Sequence, residues 1–273
     1  MTPKSVALDS LDGQEIRYQQ FEEAGESAAT LVLLHANPGS PRDFDAVLPE
    51  LRRKFRVVAV SWPGYGESPL EDPAKMCVEY AYRCLVGFLA ATRQPPALFL
   101  GNSMGGNVAA RLAAEHPDLV RGLVLVAPGG FTPLNFVTRT FCSFMASSWA
   151  PSPYHFGLVY SRHRAEPAVQ AYLARYRQEY AKPKISAAIR SVWRSFGQDF
   201  NDLREVTKAV KQPTLLVLGK YDPIISPSSD GKSARATLSG AEYAELATGH
   251  LSFAEQPKEF LAAVLPFLER VGA

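Results

Sequence analysis

Between residues 30 and 126, short apolar runs alternate with stretches of helical periodicity, and this alternation restricts the fold more than any other feature. The runs are residues 30–34, 55–60, 97–100 and 123–126. Runs of this kind, almost without polar positions, read as strands covered on both faces, which is the habit of parallel sheets. Parallel neighbours need a crossover connection, usually a helix. Helical stretches lie where such crossovers are required. Phe44, Val47, Leu48 and Leu51 share one face, a long helix is predicted over residues 73–92, and the alanine-rich residues 107–114 read as another. The pattern predicts an α/β chain: a mostly parallel, twisted, open sheet with helices on both faces.

Residues 6–8 and 16–21 flank Asp12-Gly13, a dipeptide that favours a tight hairpin, so the chain is expected to open with an antiparallel pair. The alternation stops at Pro128-Gly129-Gly130. From there to about residue 205 the periodicity is helical. Leu134, Val137, Phe141 and Met145 keep one face, with Thr132 as cap and Pro133 at the first helical position. Val169, Tyr172, Leu173, Tyr176 and Tyr180 make a second stripe, and Ile185, Ala188, Ile189, Val192, Trp193 and Phe196 a third. The α/β pattern resumes with a strand at 214–218, a helix across 233–238, a strand at 243–246 and a closing helix at 257–268, kinked at Pro266. Residues 1–130 and 206–273 are thus predicted to form one core, interrupted by a helical insertion at 131–205.

At 273 residues and 47% hydrophobic content, the chain can bury a full core. A net charge of +2 with interspersed signs gives no footprint for nucleic acid. No run reaches the ~18 apolar residues of a membrane span, and no secretory signal is visible. Cys77, Cys84 and Cys142 lack metal-ligand or disulfide spacing. Cys77 and Cys84 fall on a stripe with Tyr80, Ala81, Leu85 and Phe88 and read as core filler. A reducing, cytoplasmic setting is expected, with no metal, no cofactor and a small-molecule substrate. Homo-oligomerisation stays open.

Gly101-Asn102-Ser103-Met104-Gly105 joins a predicted strand to a predicted helix and matches G-x-S-x-G in the setting that gives that motif meaning. A serine on so sharp a turn requires small neighbours, and it would project its hydroxyl above the sheet at a helix N-terminus. Serine is a poor nucleophile without a base and a group to orient that base. Of the five histidines, His35 closes a strand, His116 ends a helix before Pro117, and His155 and His163 lie in the insertion. His250 follows the last strand, and Asp222 follows the strand before it. Loops leaving the carboxyl ends of parallel strands open onto one edge, where α/β sites collect. Asp199 and Asp202 are weaker candidates for the acid. The backbone N–H of Met104 would be one oxyanion donor, and the loop after residues 30–34, at Asn37, the other.

His35-Ala36-Asn37-Pro38-Gly39, Trp62-Pro63-Gly64-Tyr65-Gly66-Glu67-Ser68, the segment around Ser103, Gly219-Lys220-Tyr221-Asp222 and Gly249-His250 together resemble the α/β-hydrolase superfamily. The order Ser103, Asp222, His250 is the nucleophile–acid–base order associated with it. The resemblance implies the α/β-hydrolase fold, with residues 131–205 at the place of the family's variable cap. Ala36 stands where glycine is usual, and Ser61 where aspartate often precedes the Pro-Gly loop.

Within that superfamily the elbow, with Val126-Ala127-Pro128-Gly129-Gly130, is similar to carbon–carbon bond hydrolases of aromatic ring-cleavage products. Those carry a cap arginine and a tryptophan beside the histidine, whereas Leu251 follows His250 here; Arg190 is the arginine that could meet a carboxylate. His35-Ala36-Asn37-Pro38 resembles haloalkane dehalogenases, but these use an aspartate nucleophile, and epoxide hydrolases fall by the same argument. The Ser-Met-Gly-Gly elbow also resembles cofactor-free haloperoxidases and perhydrolases. The reading adopted is a serine hydrolase working through an acyl-enzyme, a carboxylic-ester hydrolase for small or medium apolar substrates. A ligand-binding protein on a hydrolase scaffold is the non-enzymatic alternative.

Overall fold

The computed structural model describes residues 3–25 and 27–273. Strands β1 (Lys4–Leu8), β2 (Gln14–Phe21), β3 (Thr30–Leu34), β4 (Arg56–Val60), β5 (Ala97–Asn102), β6 (Val120–Val126), β7 (Thr214–Gly219) and β8 (Glu242–Leu246) form one eight-stranded sheet. Their order is β1-β2-β4-β3-β5-β6-β7-β8. β1 and β2 pair antiparallel, as do β2 and β4, and every later pairing is parallel. All residues of β3, β5 and β7 are buried, as their apolar sequences require once helices cover both faces.

The helices are α1 (Leu48–Lys54), α2 (Val78–Thr92), α3 (Met104–Glu115), α4 (Phe136–Met145), α5 (Pro153–Tyr160), α6 (Pro167–Gln178), α7 (Pro183–Phe196), α8 (Lys232–Thr237), α9 (Ser252–Glu255) and α10 (Pro257–Gly272). The segment α4–α7 occupies the connection between β6 and β7. The stripes on α6 and α7 are buried as their periodicity predicts, through Val169, Tyr172, Leu173 and Tyr176 and through Ala188, Ile189, Val192 and Trp193. Among the described residues, no helix is long and apolar enough to cross a membrane.

Local departures from the sequence reading have physical causes. Asp12 and Gly13 are both left-handed (φ 52° and 76°), but they end a longer link. A 3-10 turn over Asp9–Leu11 precedes them, so Leu8 pairs with Gln14 and both strands are longer than expected. The helix expected from residue 73 is divided. A 3-10 turn over Pro73–Lys75 comes first, then extended backbone at Cys77. The Cys77 Sγ accepts the Tyr80 N–H at 3.3 Å, so this thiol caps α2 instead of filling the core. Cys84 is buried as predicted.

α4 starts later than expected, with Asn135 as its cap, accepting the Thr138 N–H at 3.0 Å. Thr132 is unavailable for that role because its hydroxyl donates to Asp230. Of the stripe on α4, Met145 is buried, whereas Val137 and Phe141 are exposed. α10 continues through Pro266 to Gly272.

Because β3 and β5–β8 run parallel, the loops that follow them emerge at one edge of the sheet. The α4–α7 segment reaches the same edge. Arg175 of α6 pairs with Asp43 behind the β3 loop, and the Tyr160 carbonyl at the end of α5 accepts the His250 N–H at 2.9 Å.

Candidate active site

Ser103 sits between β5 and α3 with φ 53° and ψ −110°, a conformation that non-glycine residues rarely adopt and that costs free energy. Its surroundings hold it there. Its N–H donates to the Val126 carbonyl at 3.0 Å, and its own carbonyl accepts the N–H groups of Asn107 and Gly129 at 3.0 and 3.1 Å. Two glycines make the turn sterically possible. A Cβ at Gly105 would lie 2.2 Å from the Leu34 carbonyl oxygen, and one at Gly101 would lie 2.4 Å from that of Gly105. Met104 opens α3, so its N–H has no acceptor inside the helix and lies beside the serine.

His250 and Asp222 meet as the strand-end argument predicts. The His250 Nδ1 lies 2.6 Å from Asp222 Oδ2, and both side chains are buried. The other carboxylate oxygen, Oδ1, accepts the N–H groups of Ile224 and Ile225 at 2.8 and 3.1 Å. The carboxylate is therefore oriented by backbone before it meets the ring. A neutral imidazole donating at Nδ1 leaves Nε2 as an acceptor. Ser103 and His250 line the same cavity, of about 360 Å³, between the sheet edge and the α4–α7 segment.

Asn37 lines this cavity and is buried. Its Oδ1 accepts the Tyr65 hydroxyl at 2.5 Å, and its Nδ2 lies 3.4 Å from the Ile189 carbonyl of α7. Burial pushes the Tyr65 hydroxyl well above the usual phenol range, so it stays a donor.

His35 supports the loop that holds Asn37. Its Nε2 accepts the Trp62 N–H at 3.2 Å, and its carbonyl accepts the Trp62 indole at 2.9 Å. Burial drives the His35 pKa down to about 3, opposed by its contact with the Ala36 carbonyl, so the ring is neutral.

The remaining candidates are placed elsewhere. The His116 ring stacks on Tyr82, His155 pairs with Ser152, and His163 meets the Ala247 carbonyl. Asp199 pairs with Arg139, and Asp202 is held by Arg204, whose hydrogen bonds lower its pKa. Arg190 donates to Ser186 and lines a second cavity of about 270 Å³. Phe156 and Trp193 line both cavities and divide them.

Sequence reasoning missed a buried network behind the site. Asp43 accepts the Ser40 N–H at 3.0 Å and pairs with Arg175 at 3.1 Å. Burial raises the Asp43 pKa to about 7, against the pull of the Arg175 guanidinium. Tyr160 donates to Tyr176 at 2.7 Å, and Tyr176 donates to the Pro38 carbonyl at 2.6 Å. The loop after β3 is thereby tied to α5 and α6. The tyrosine stripe of α6 was visible as an apolar face, but nothing in its spacing showed that its hydroxyls would converge.

The cavity lining is mostly apolar, with Leu134, Val137, Phe141, Phe156, Trp193, Phe196, Ile224 and Ile225 around the polar groups. Among the described residues it includes no aspartate, glutamate, lysine or arginine.

The sheet order, its antiparallel opening and the strained serine after β5 define a hydrolase of the α/β class. Residues 31–264 match the Alpha/beta hydrolase family, and the chain belongs to it. It is similar to a pimeloyl-[acyl-carrier protein] methyl ester esterase of Neisseria meningitidis, at 26% identity over 93% of this chain and 81% of that one. It is also similar to the 2-hydroxy-6-oxo-6-(2'-aminophenyl)hexa-2,4-dienoic acid hydrolase of Metapseudomonas resinovorans, at 27% identity over 94% of this chain and 89% of that one. Among solved structures, a hydrolase from Pseudomonas aeruginosa superposes with a TM-score of 0.82, at 26% identity and 98% coverage of both chains. Esterases and carbon–carbon bond hydrolases therefore both stand among its relatives.

Proposed function

We propose that this chain is a serine carboxylic-ester hydrolase acting on small or medium apolar substrates through an acyl-enzyme, with residues 131–205 as its cap. The observation that carries the reading is the 2.6 Å contact between His250 Nδ1 and a backbone-anchored Asp222, with Ser103 on the same cavity. His250 takes the Ser103 proton at Nε2 as Oγ attacks the acyl carbonyl. Asp222 holds the tautomer and stabilises the imidazolium. The Met104 N–H and Asn37 donate to the oxyanion as it forms. His250 then returns the proton to the leaving alkoxide, and water, activated by the same ring, releases the acid.

An uncharged, largely apolar lining favours neutral substrates, because a carboxylate buried without a cation is costly. That weighs against a ring-cleavage dienoate, which carries one. Leu251 beside His250 and the placement of Arg190 beyond the Phe156–Trp193 wall weigh the same way.

Ser103→Ala is expected to abolish p-nitrophenyl ester hydrolysis and fluorophosphonate labelling in a protein with unchanged circular dichroism. Wild-type turnover by that variant would sink the mechanism. A panel of esters graded by acyl length, run beside a ring-cleavage dienoate, tests the substrate class. Rapid turnover of the dienoate alone would reverse the ranking.

A further inference from the structure

Exposed large hydrophobic side chains are not scattered over this molecule. Six of the seven among the described residues, namely Phe136, Val137, Phe141, Phe144, Trp149 and Val159, fall between residues 136 and 159. At 100° per residue, Phe136, Val137, Phe141 and Phe144 occupy one arc of α4 of about 140°. Thr138, Cys142 and Met145 occupy the opposite arc, which faces the protein. α4 is thus largely apolar on both sides; the exposed side also holds Thr140, and its Phe141 packs edge to face on Trp193 at 5.7 Å. Trp149, 87% exposed, follows four residues beyond the helix end.

Composition decides what fits this face. Taking ~200 Å² for each aromatic side chain, the exposed parts of Phe136, Phe141, Phe144 and Trp149 present on the order of 500 Å². A stable protein–protein interface takes about 800 Å² from each partner with its polar rim included, so area does not separate a second copy from a lipid surface. Patches of this size are typical of functional surfaces, and composition chooses the occupant. Residues 131–165 carry no aspartate or glutamate, and their charges are Arg139, Arg162 and Arg164. The carboxylate that meets this helix is Asp199, paired with Arg139 at 2.7 Å. Phenylalanine and tryptophan on a helix without acidic residues suit the headgroup boundary of a bilayer. Position adds the last argument: Val137 and Phe141 belong both to the bare face and to the lining of the Ser103 cavity. An apolar molecule could pass from lipid to cavity along continuous apolar surface.

We infer that the outer face of α4, together with Trp149, docks onto a phospholipid surface and sets the cavity mouth against it. The helix lies on the bilayer and does not cross it. This docking does not depend on the chemistry at Ser103, so Ser103→Ala protein must bind as the wild type does.

The test is co-sedimentation with vesicles of equimolar phosphatidylcholine and phosphatidylglycerol, read together with tryptophan emission. Trp62 and Trp193 are buried, so a blue shift on adding vesicles reports Trp149. The wild type is expected to sediment with the vesicles and shift its emission. The combined variant Phe136→Ser, Phe144→Ser, Trp149→Ser is expected to lose at least about tenfold in vesicle affinity. Its circular dichroism and its turnover of a short water-soluble ester should stay unchanged, since none of the three residues lines the cavity. Equal partitioning of wild type and variant, or none by either, would overturn the inference. So would a wild-type dimer in ultracentrifugation that the variant converts to monomer, which would assign the face to a second copy.

Discussion

The Tyr65 hydroxyl donates to Asn37 Oδ1 across 2.5 Å, and this one bond decides which end of the amide is left for the cavity. With Oδ1 taken, Nδ2 is the polar edge that remains, held only loosely by the Ile189 carbonyl at 3.4 Å. Tyr65 arrives from the loop after β4 and is not among the residues that line the cavity, so the role expected of it is to position Asn37.

Tyr65→Phe should therefore separate positioning from binding. The amide loses its anchor, and if Asn37 serves the oxyanion, kcat on a p-nitrophenyl ester should fall by about tenfold or more. KM should hardly change, because the ground-state carbonyl uses that donor less. Loss of one buried hydrogen bond costs about 1–3 kcal/mol, a shift of a few degrees in Tm. A large KM change at constant kcat would assign Asn37 to substrate binding instead.

Asp222→Asn probes the imidazole tautomer. The backbone N–H groups of Ile224 and Ile225 both point at Oδ1. In the variant the amide oxygen takes that place, which turns the NH2 group towards His250. Nδ1 must then accept, the ring proton moves to Nε2, and the base is lost. An activity loss of roughly a thousandfold or more is expected at neutral pH, with the fold retained. Steady-state kinetics beside a thermal melt would show it, and a variant within tenfold of wild type would remove Asp222 from the mechanism.

The central strands were legible because burial on both faces leaves an unbroken apolar run, and β3 and β5 carry one. The convergence of His250 on Asp222 was legible for a topological reason: successive parallel strands release their loops at one edge. The Asp43–Arg175 pair was not legible, because each residue taken alone looks like a solvated charge and 132 positions separate them. The bare face of α4 was not legible for a related reason. A periodic apolar stripe records amphipathicity but not which side the protein covers. Cys77 and Thr132 show the third limit, since a cap depends on which local donor wins the side chain.

His35 makes stability depend on pH in a defined window. Its folded pKa lies near 3 against an unfolded value of 6.5, because burial disfavours the cation. Between those values the unfolded chain binds the extra proton, so stability is full above pH ~6.5 and falls as the pH drops towards ~3. Each displaced unit is worth about 1.4 kcal/mol, so the loss reaches several kcal/mol. Asp43, raised to about 7 by burial, acts in the opposite sense over much of this window, so the His35 contribution is read from urea unfolding as the difference between wild type and variant. His35→Gln should start lower at neutral pH, and its gap to the wild type should close as the pH falls towards ~3. Parallel curves for the two proteins would mean that other groups carry the dependence.

The Phe156–Trp193 pair should set the acyl length that the cavity admits. Their rings meet edge to face at 5.4 Å and line both the 360 Å³ cavity beside Ser103 and the 270 Å³ cavity that holds Arg190. Trp193→Ala removes most of the wall and joins the two spaces. Short esters never reach the wall, so their kcat should stay within about twofold, a change of under ~0.5 kcal/mol in barrier. Longer acyl chains gain a compartment, and the optimum of kcat/KM should move to chains several methylenes longer, each buried methylene being worth about 0.8 kcal/mol. A neutral chain end would then face Arg190 unfavourably, whereas a chain ending in a carboxylate would meet its charge. The variant should therefore prefer the ω-carboxylate ester over the plain alkyl ester of equal length, a preference the wild type lacks. Truncating the buried tryptophan is expected to cost about 3–5 kcal/mol of stability, so the comparison belongs well below the variant's melting temperature. An unchanged length optimum in a folded variant would show that the wall does not limit the acyl chain.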